Sequence, residues 1–347
     1  MSILTAMSGG VDSSVSAFLV REKYGTCTGA TMLLADDGAK NILDAKSVCD
    51  SFNIGYEVID MRGIFREKVI RKFVDVYESG GTPNPCIECN RSIKFGEFLT
   101  HAIASGHERI ATGHYARIEH DNGRYLLRKA VDTSRDQSYV LYMLSQEILS
   151  RVDFPLGGML KSDVRSLAES LVFVNAKRSD SQDICFVPEG DYGRFIASFT
   201  GKSYPPGNFV DADGEILGRH KGIIHYTAGQ RRGLGVAGKS RLYVAKIDTL
   251  TNDITLLPES DTGLYARGII ARDVNLIACG KLPGNFRACV KTRYRQKEIP
   301  CVVNQSGENE FVIEFSQRVK SPAIGQAAVI YDGEYVVGGG TISAVYS

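Results

Sequence analysis

Net charge is nearly absent from this 347-residue chain: 41 lysines and arginines stand against 40 aspartates and glutamates, for a formal charge of +1. That balance excludes a uniformly basic nucleic-acid binder but leaves room for local basic patches, because affinity for phosphate depends on where charge is concentrated. No apolar run approaches the ~20 residues of a membrane span, and Met1 leads into Ile3-Leu4-Thr5-Ala6-Met7 with no basic-then-apolar leader. The expectation is a cytoplasmic protein with no membrane partner. Internal repeats and low-complexity tracts are missing as well. The glycine loop near the start is not followed by Gly-Lys-Ser/Thr, so it lacks the lysine that reaches the β- and γ-phosphates, and kinase-type γ-phosphoryl transfer is disfavoured. No second Cys-x-x-Cys and no histidine pair accompany Cys86 and Cys89, as a zinc site would normally require. The 8 cysteines of a cytosolic chain are poor material for a disulfide framework, which points instead to buried thiols, metal ligation or redox chemistry.

What is present begins with Ser8-Gly9-Gly10-Val11-Asp12-Ser13-Ser14, placed directly after the first apolar run. A strand feeding a glycine loop feeding a helix is a phosphate cradle: glycines take positive φ and let backbone approach an anion, and a helix N-terminus favours negative charge. Ser13 and Ser14 are expected to cap that helix, and Asp12 to lie near the surface, where its replacement would leave the fold intact. The five signature residues look like the loop of enzymes that split ATP into AMP and pyrophosphate to activate a carbonyl oxygen. Apolar periodicity then alternates between strand and helix as far as Gly113-His114-Tyr115, implying an α/β domain with a doubly wound parallel sheet and its ligand at the carboxyl ends of the strands. Helix one ends at Gly25, a second helix buries Ala45, Val48 and Cys49, and a third carries Val69, Phe73 and Tyr77. Past about residue 200 the pattern changes to short strands with Asp213-Gly214 and Asp332-Gly333 turns, the mark of a small antiparallel barrel. The expected domains are 1–200, a linking domain 201–264, and a C-terminal β-barrel 265–347.

Two further segments carry chemistry. Thr82-Pro83-Asn84-Pro85-Cys86-Ile87-Glu88-Cys89-Asn90 presents two thiols on a proline-stiffened loop. Asp180-Ser181-Gln182-Asp183-Ile184-Cys185-Phe186 sets one cysteine between polar residues and an aromatic ring. Taken alone, the first could be half of a metal site or a redox pair, and the second a core thiol. A basic stretch, Lys281, Arg287, Lys291, Arg293, Arg295 and Lys297 with Tyr294 interleaved, fits a surface that follows an RNA backbone, or equally a solvated strand face.

In this order, the three segments resemble the tRNA-specific 2-thiouridylase family. The resemblance continues through Ala111-Thr112-Gly113-His114-Tyr115-Ala116, Asp136-Gln137-Ser138-Tyr139, Tyr226 to Gly235, Arg293-Tyr294-Arg295 and Gly325-Gln326, and so spans essentially the whole chain. It implies an adenine-nucleotide hydrolase-like, pyrophosphatase-loop domain that binds ATP with Mg²⁺ and acts on tRNA. The activity implied is 2-thiolation of the wobble uridine of the tRNAs for lysine, glutamate and glutamine. Adenylation turns the unreactive C2 oxygen into AMP, a stable leaving group, and sulfur arrives on a cysteine persulfide from a relay protein or cysteine desulfurase.

By the same resemblance Cys185 carries the persulfide and Cys89 resolves it, ending in a Cys89–Cys185 disulfide, with Asp12 completing the catalytic set. Ala6, Met7, Ser8, Gly9, Gly10, Val11, Asp12 and Ser13 hold the ATP phosphates, while Met32 and Gly113 lie against the nucleotide. Asn84, Pro85 and Cys86 meet the flipped-out base. His114, Arg135, Asp136, Gln137, Arg293, Tyr294 and Gln326 touch tRNA. The chain departs from the family in three places: Cys86 stands where well-known members have aspartate, the segment Leu34 to Lys40 is short, and Arg135 replaces a common lysine. With Cys86 included, three thiols are able to hold an iron–sulfur cluster with one iron open to sulfide. Competing readings are another pyrophosphatase-loop ligase acting on a small molecule and a non-catalytic RNA-binding or cluster protein.

Overall fold

The computed structural model describes residues 2–36, 38–178, 184–187, 190–236 and 240–347. Asp37 and the Asp180 to Asp183 approach to Cys185 lie outside the described residues. The first domain is built on a parallel sheet of β1 (Ile3–Ala6), β2 (Thr28–Leu33), β3 (Gly55–Asp60) and β4 (Arg109–Ala111), in the order β3-β2-β1-β4, with the short strand Val152–Asp153 at the edge. Ile3 and Leu4 are fully buried, as a strand covered on both faces requires. Helix α1 (Val11–Tyr24) follows β1 and ends at Gly25, whose φ of 78° lets its N–H reach the Arg21 carbonyl. Helix α2 (Ala39–Ser51) buries Ala45, Val48 and Cys49 against the same sheet. The chain passes from β1 to β2 on one side, while β4 flanks β1 on the other. Their carboxyl ends therefore part at a topological switch point, where α/β sheets bind ligands.

The expected third helix is composite: Arg62–Phe65, a π-helical stretch Arg66–Arg71, then Lys72–Glu78. A second π-helical stretch, Cys89–Glu97, is set between the helices Pro85–Glu88 and Phe98–Ala104. Hydrophobic spacing does not reveal such a register, because its i→i+5 bonding shifts which residues share a face.

The linking domain is a four-stranded sheet of Gly207–Val210, Ile216–His220, Leu242–Asp248 and Asp253–Pro258, with Gly214 at φ 88° in the expected turn. The C-terminal barrel runs from Tyr265–Leu276 to Tyr335–Tyr346, and those two strands pair to close it. Its sheet also takes in a hairpin from the first domain, Ala116–Asp121 and Arg124–Lys129, joined through Arg128 opposite Tyr335. Asn122 and Gly123, at φ 48° and 76°, make that turn. Asn-Gly is a strong hairpin signal, and the sequence reading passed over it. The joint is reinforced by Gln326, whose side-chain amide donates to the Thr82 and Pro83 carbonyls at 3.0 and 3.1 Å, and by Arg124, whose guanidinium donates to the Ile277 and Cys279 carbonyls. One apolar core consequently runs from Leu4 and Phe95 to Val329 and Tyr331 of the barrel. No helix among the described residues is long and apolar enough to cross a membrane.

Candidate active site

At the switch point, α1 begins at Val11 with Gly10 as its N-cap and no side-chain cap bond. The serines do not cap it, contrary to expectation. They lie inside the first turn, where the Ser13 and Ser14 hydroxyls donate back to the Gly10 carbonyl at 2.9 and 3.1 Å, and Ser13 Oγ accepts the Ser8 N–H. The amides of the first turn have no intrahelical partner and stay available to an anion. Gly9 sits at φ 72°, and a Cβ there would stand 2.6 Å from the Asn41 carbonyl oxygen, so only glycine fits. The Gly9 carbonyl accepts from Asn175 at 2.9 Å and from Arg178 at 3.2 Å, which ties the loop to the segment leading towards Cys185. Gly113, at the end of β4, packs so closely that a Cβ would lie 3.1 Å from the Ser13 nitrogen. Met32 is half-buried near the end of β2. The expected nucleotide residues are therefore brought to one sheet end.

Asp12 is not a lone surface acid. Both of its carboxylate oxygens accept from the Lys161 ammonium at 2.8 Å, and the Tyr115 hydroxyl donates to the same carboxylate at 2.8 Å. The Lys161 side chain is 8% exposed. Replacing Asp12 would take a carboxylate partner from a nearly buried ammonium, so the residue is tied into the fold more closely than a surface acid would be.

The thiols come from two other segments. Asn84 caps the short helix Pro85–Glu88 through the Cys86 N–H, and Cys86 reaches the surface while Cys89 is half-buried. Burial raises the Cys89 thiol to about 11; nearby Lys94 opposes the shift, while Cys185, Cys86 and Glu88 add to it. Cys185 is exposed, and Phe186 beside it packs edge-on against Phe65 and Phe73 of the composite helix at 5.6 and 5.3 Å between ring centroids. Lys94 is delivered by the π register. In an α-helix it would lie about 140° around the axis from Cys89, at 100° per residue, whereas i→i+5 bonding sets it one turn away on the same face. The Lys94 ammonium is 3.5 Å from His114 Nε2, and His114 Nδ1 is 2.7 Å from the Thr112 hydroxyl. Burial drives the His114 pKa well down, so the ring is neutral; Nε2 accepts from Lys94 and Nδ1–H donates to Thr112. His114 thus steadies the cation that faces the thiols.

A consequence is measurable. Alkylation of Cys89, followed with Cys86 and Cys185 changed to serine, should rise about tenfold per pH unit up to a pKa near 11. Lys94→Met should shift that profile to higher pH and slow alkylation at pH 8, since the removed cation favours thiolate. An unshifted profile would take Lys94 away from the thiols.

The residues expected to meet RNA divide into two groups. Tyr294 is raised in pKa first by burial, then by Asp136 and Cys86, with Arg295 and Arg135 opposing, and its ring packs 5.9 Å from that of Tyr139. Gln137 exchanges hydrogen bonds with the Tyr115 backbone, and Asp136 accepts from Ala130 and Ser138, so both organise the turn that bears exposed Arg135. Arg293, by contrast, is committed to the Ala228 and Ser321 carbonyls at 3.0 and 2.8 Å, and Gln326 to the joint described above. The barrel strand Phe286–Lys291 ends before them, so Arg295 and Lys297 lie in the following segment and are exposed. Replacing Arg295 and Lys297 should weaken tRNA binding and flatten its salt dependence by up to about one unit of slope per lost phosphate contact. Replacing Arg293 should instead loosen the linking domain from the barrel, seen as a lower melting temperature. Unchanged salt slopes in the first pair would make those charges a solvated face.

Three family models match in succession: the tRNA methyl transferase HUP domain over residues 1–189, the tRNA methyl transferase PRC-barrel domain over 193–257, and the aminomethyltransferase beta-barrel domain over 266–342. Among curated proteins, the tRNA-specific 2-thiouridylase MnmA of Treponema denticola is 44% identical over 99% of this chain and 98% of its own length. The chain belongs to the tRNA-specific 2-thiouridylase family. The member from Acetivibrio thermocellus is 42% identical over 98% of each chain. Among solved structures, the U34-tRNA thiolase NcsA from Methanococcus maripaludis, with its [4Fe-4S] cluster, is 16% identical over 58% of this chain and 65% of its own, at a TM-score of 0.37.

Within this 2-thiouridylase site, sequence reasoning missed Lys94, Lys161, Asn175 and Arg178. Tyr115 stood inside a quoted motif without a role. For Lys94 the signal was its place five residues after Cys89, which has meaning only once the π register is known. Among the described residues no group of three His, Cys, Asp or Glu side chains could hold a metal ion, although Cys86, Cys89 and Cys185 are all described.

Proposed function

We propose that this chain converts the wobble uridine of tRNA, position 34, to 2-thiouridine, using ATP and a cysteine persulfide. The observation that supports it most directly is that a chain with a phosphate loop at the switch point of its parallel sheet also carries two exposed thiols, Cys86 and Cys185, and a half-buried one, Cys89. An amide-forming ligase of the same loop type has no need of paired thiols. Uridine O2 displaces pyrophosphate from the α-phosphorus, and the resulting adenylate gives C2 a leaving group. The terminal sulfur of the Cys185 persulfide attacks C2, and AMP departs with the C–O electron pair. Cys89 thiolate then attacks Cys185 Sγ; the Cys89–Cys185 bond forms, and the outer sulfur stays on C2 with the electrons of the broken S–S bond. An external dithiol reduces the disulfide and resets the enzyme.

Mg²⁺ would accompany the ATP phosphates, with Asp12 as the carboxylate nearest the cradle. Cys86 with Asn84 and Pro85 borders the base, and Arg135, Tyr294 and Arg295 lie along the RNA path. The tRNAs for lysine, glutamate and glutamine are the proposed substrates, and a desulfurase or relay protein the sulfur source. The test is incubation with such a tRNA, ATP and a persulfide donor, read by nucleoside mass spectrometry and by nucleotide products. Formation of 2-thiouridine with AMP and pyrophosphate supports the reading; ADP and phosphate, or AMP formation indifferent to tRNA, refutes it.

A further inference from the structure

The thiolation scheme gives the linking domain no task, yet its loop from Thr227 to Val236 carries unpaired positive charge on a fixed backbone. Leu234 is 8% exposed and packs with Phe209, Tyr226 and Val244 in the core of that domain. The Gln230 side chain staples the loop from within: its carbonyl accepts the Thr227 N–H at 3.1 Å, and its amide donates to the Arg232 carbonyl at 3.0 Å. The Gly229 N–H and the Gln230 carbonyl pair with the Val244 backbone at 2.7 and 2.9 Å. On this frame Arg231 and Arg232 stand exposed, and Arg231 lines a recess of about 340 Å³ together with exposed Arg241. We infer that this recess is a phosphate site of the linking domain, holding the tRNA backbone at a place separate from the group around Tyr294.

Three observations carry this. None of the three guanidiniums has a hydrogen bond or ion pair among the described residues. Glu259, whose carboxylate feels Arg241, is already held by Lys320 at 2.6 Å and by the Tyr243 hydroxyl at 3.2 Å. In a chain that balances 41 cations with 40 acids, these three charges are left to repel one another until an anion enters. The second observation is the backbone. No N–H from Arg231 to Val236 donates to another described residue, and Gly233 and Gly235 sit at φ 75° and 68°. Successive unpaired amides in such a turn make an anion-binding concavity, and guanidinium forks add bidentate donors suited to phosphate. The third is continuity with the barrel. Arg293 donates to the Ala228 carbonyl at 3.0 Å, and a Cβ on Gly229 would stand 2.7 Å from its Nη2. Arg231 thus follows within three residues of the joint from whose other side Tyr294 and Arg295 extend. A polyanion that passes Arg295 is served by this continuity, whereas a lone phosphate ion gains nothing from it.

The inference rests on tRNA being the substrate, and the experiment keeps the two apart. A lysine tRNA transcript is bound to the full chain over a range of salt concentrations, comparing wild type with Arg231→Gln/Arg232→Gln/Arg241→Gln. The triple variant should bind at least about tenfold more weakly at low salt and flatten the salt slope by up to about one unit per lost contact. Its thiolation should keep kcat within about twofold at saturating tRNA while KM rises. Phosphate-ethylation interference separates contact from general charge: ethylation at particular tRNA phosphates should weaken the wild type and have no effect on the variant. Arg231→Lys/Arg232→Lys/Arg241→Lys should keep most of the slope, and each single glutamine variant should lose part of it, which preserves the test if the triple variant is unstable. Unchanged affinity, or the same interference pattern in variant and wild type, would leave the arginines to solvent or to an acidic protein and overturn the inference. A wild-type chain that binds no tRNA would refute the substrate reading and the inference with it.

Discussion

Cys89→Ser and Cys185→Ser should each reduce 2-thiouridine formation by about a thousandfold or more, because each removes a sulfur that makes or breaks a bond and serine oxygen substitutes for neither role. Adenylation draws on different residues, so the first-turnover release of pyrophosphate in the presence of tRNA should survive both changes. Loss of both steps in Cys185→Ser would show that the cysteine is structural. Cys86→Asp should remain active, since it borders the base and forms no sulfur bond in the scheme. The companion assay is thiolation by metal-free enzyme given a persulfide donor. Robust turnover supports the persulfide route; activity appearing only after anaerobic iron–sulfur reconstitution would overturn it.

Asp12→Ala should abolish turnover and also lower stability. Lys161 is 8% exposed and Asp12 32%, so the loss removes one carboxylate partner from an ammonium that is largely out of water. Breaking a fully buried pair costs about 3–5 kcal/mol; the partial exposure of Asp12 brings the expectation to about 2–3 kcal/mol. Asp12→Asn keeps a hydrogen-bond acceptor for Tyr115 and should unfold less readily, yet remain impaired in forming AMP. Chemical denaturation of both variants, alongside AMP formation, checks the two effects separately. Full activity in Asp12→Ala would remove the loop from the mechanism, and unchanged stability would mean that the other interactions of Lys161 suffice to hold it.

The failures of the sequence reading have specific causes. Ser13 and Ser14 were expected as caps because serine favours that position, but the loop closes one turn earlier, on Gly10, and the hydroxyls point back at its carbonyl. Arg293 carries the same charge as Arg295, yet lies at a domain joint where two carbonyls take its guanidinium. Charge patterning along a strand does not distinguish a side chain that meets another domain from one that meets solvent or RNA.

By itself, the sequence determined the parallel α/β domain, the strand-rich C-terminal half, the phosphate loop and the three thiol-bearing positions, because these depend on local backbone chemistry: glycines that permit positive φ, prolines that stiffen a loop, and apolar periodicity. Only the tertiary structure decided which cations serve them. Lys94 reaches the thiols through a π-helical register invisible to a 3.6-residue pattern. Lys161 reaches Asp12 across 149 positions of sequence, as the Ala116–Lys129 hairpin reaches the barrel. Electrostatic partnership falls off with distance in space and is indifferent to distance along the chain, so it is set when the elements pack and not before.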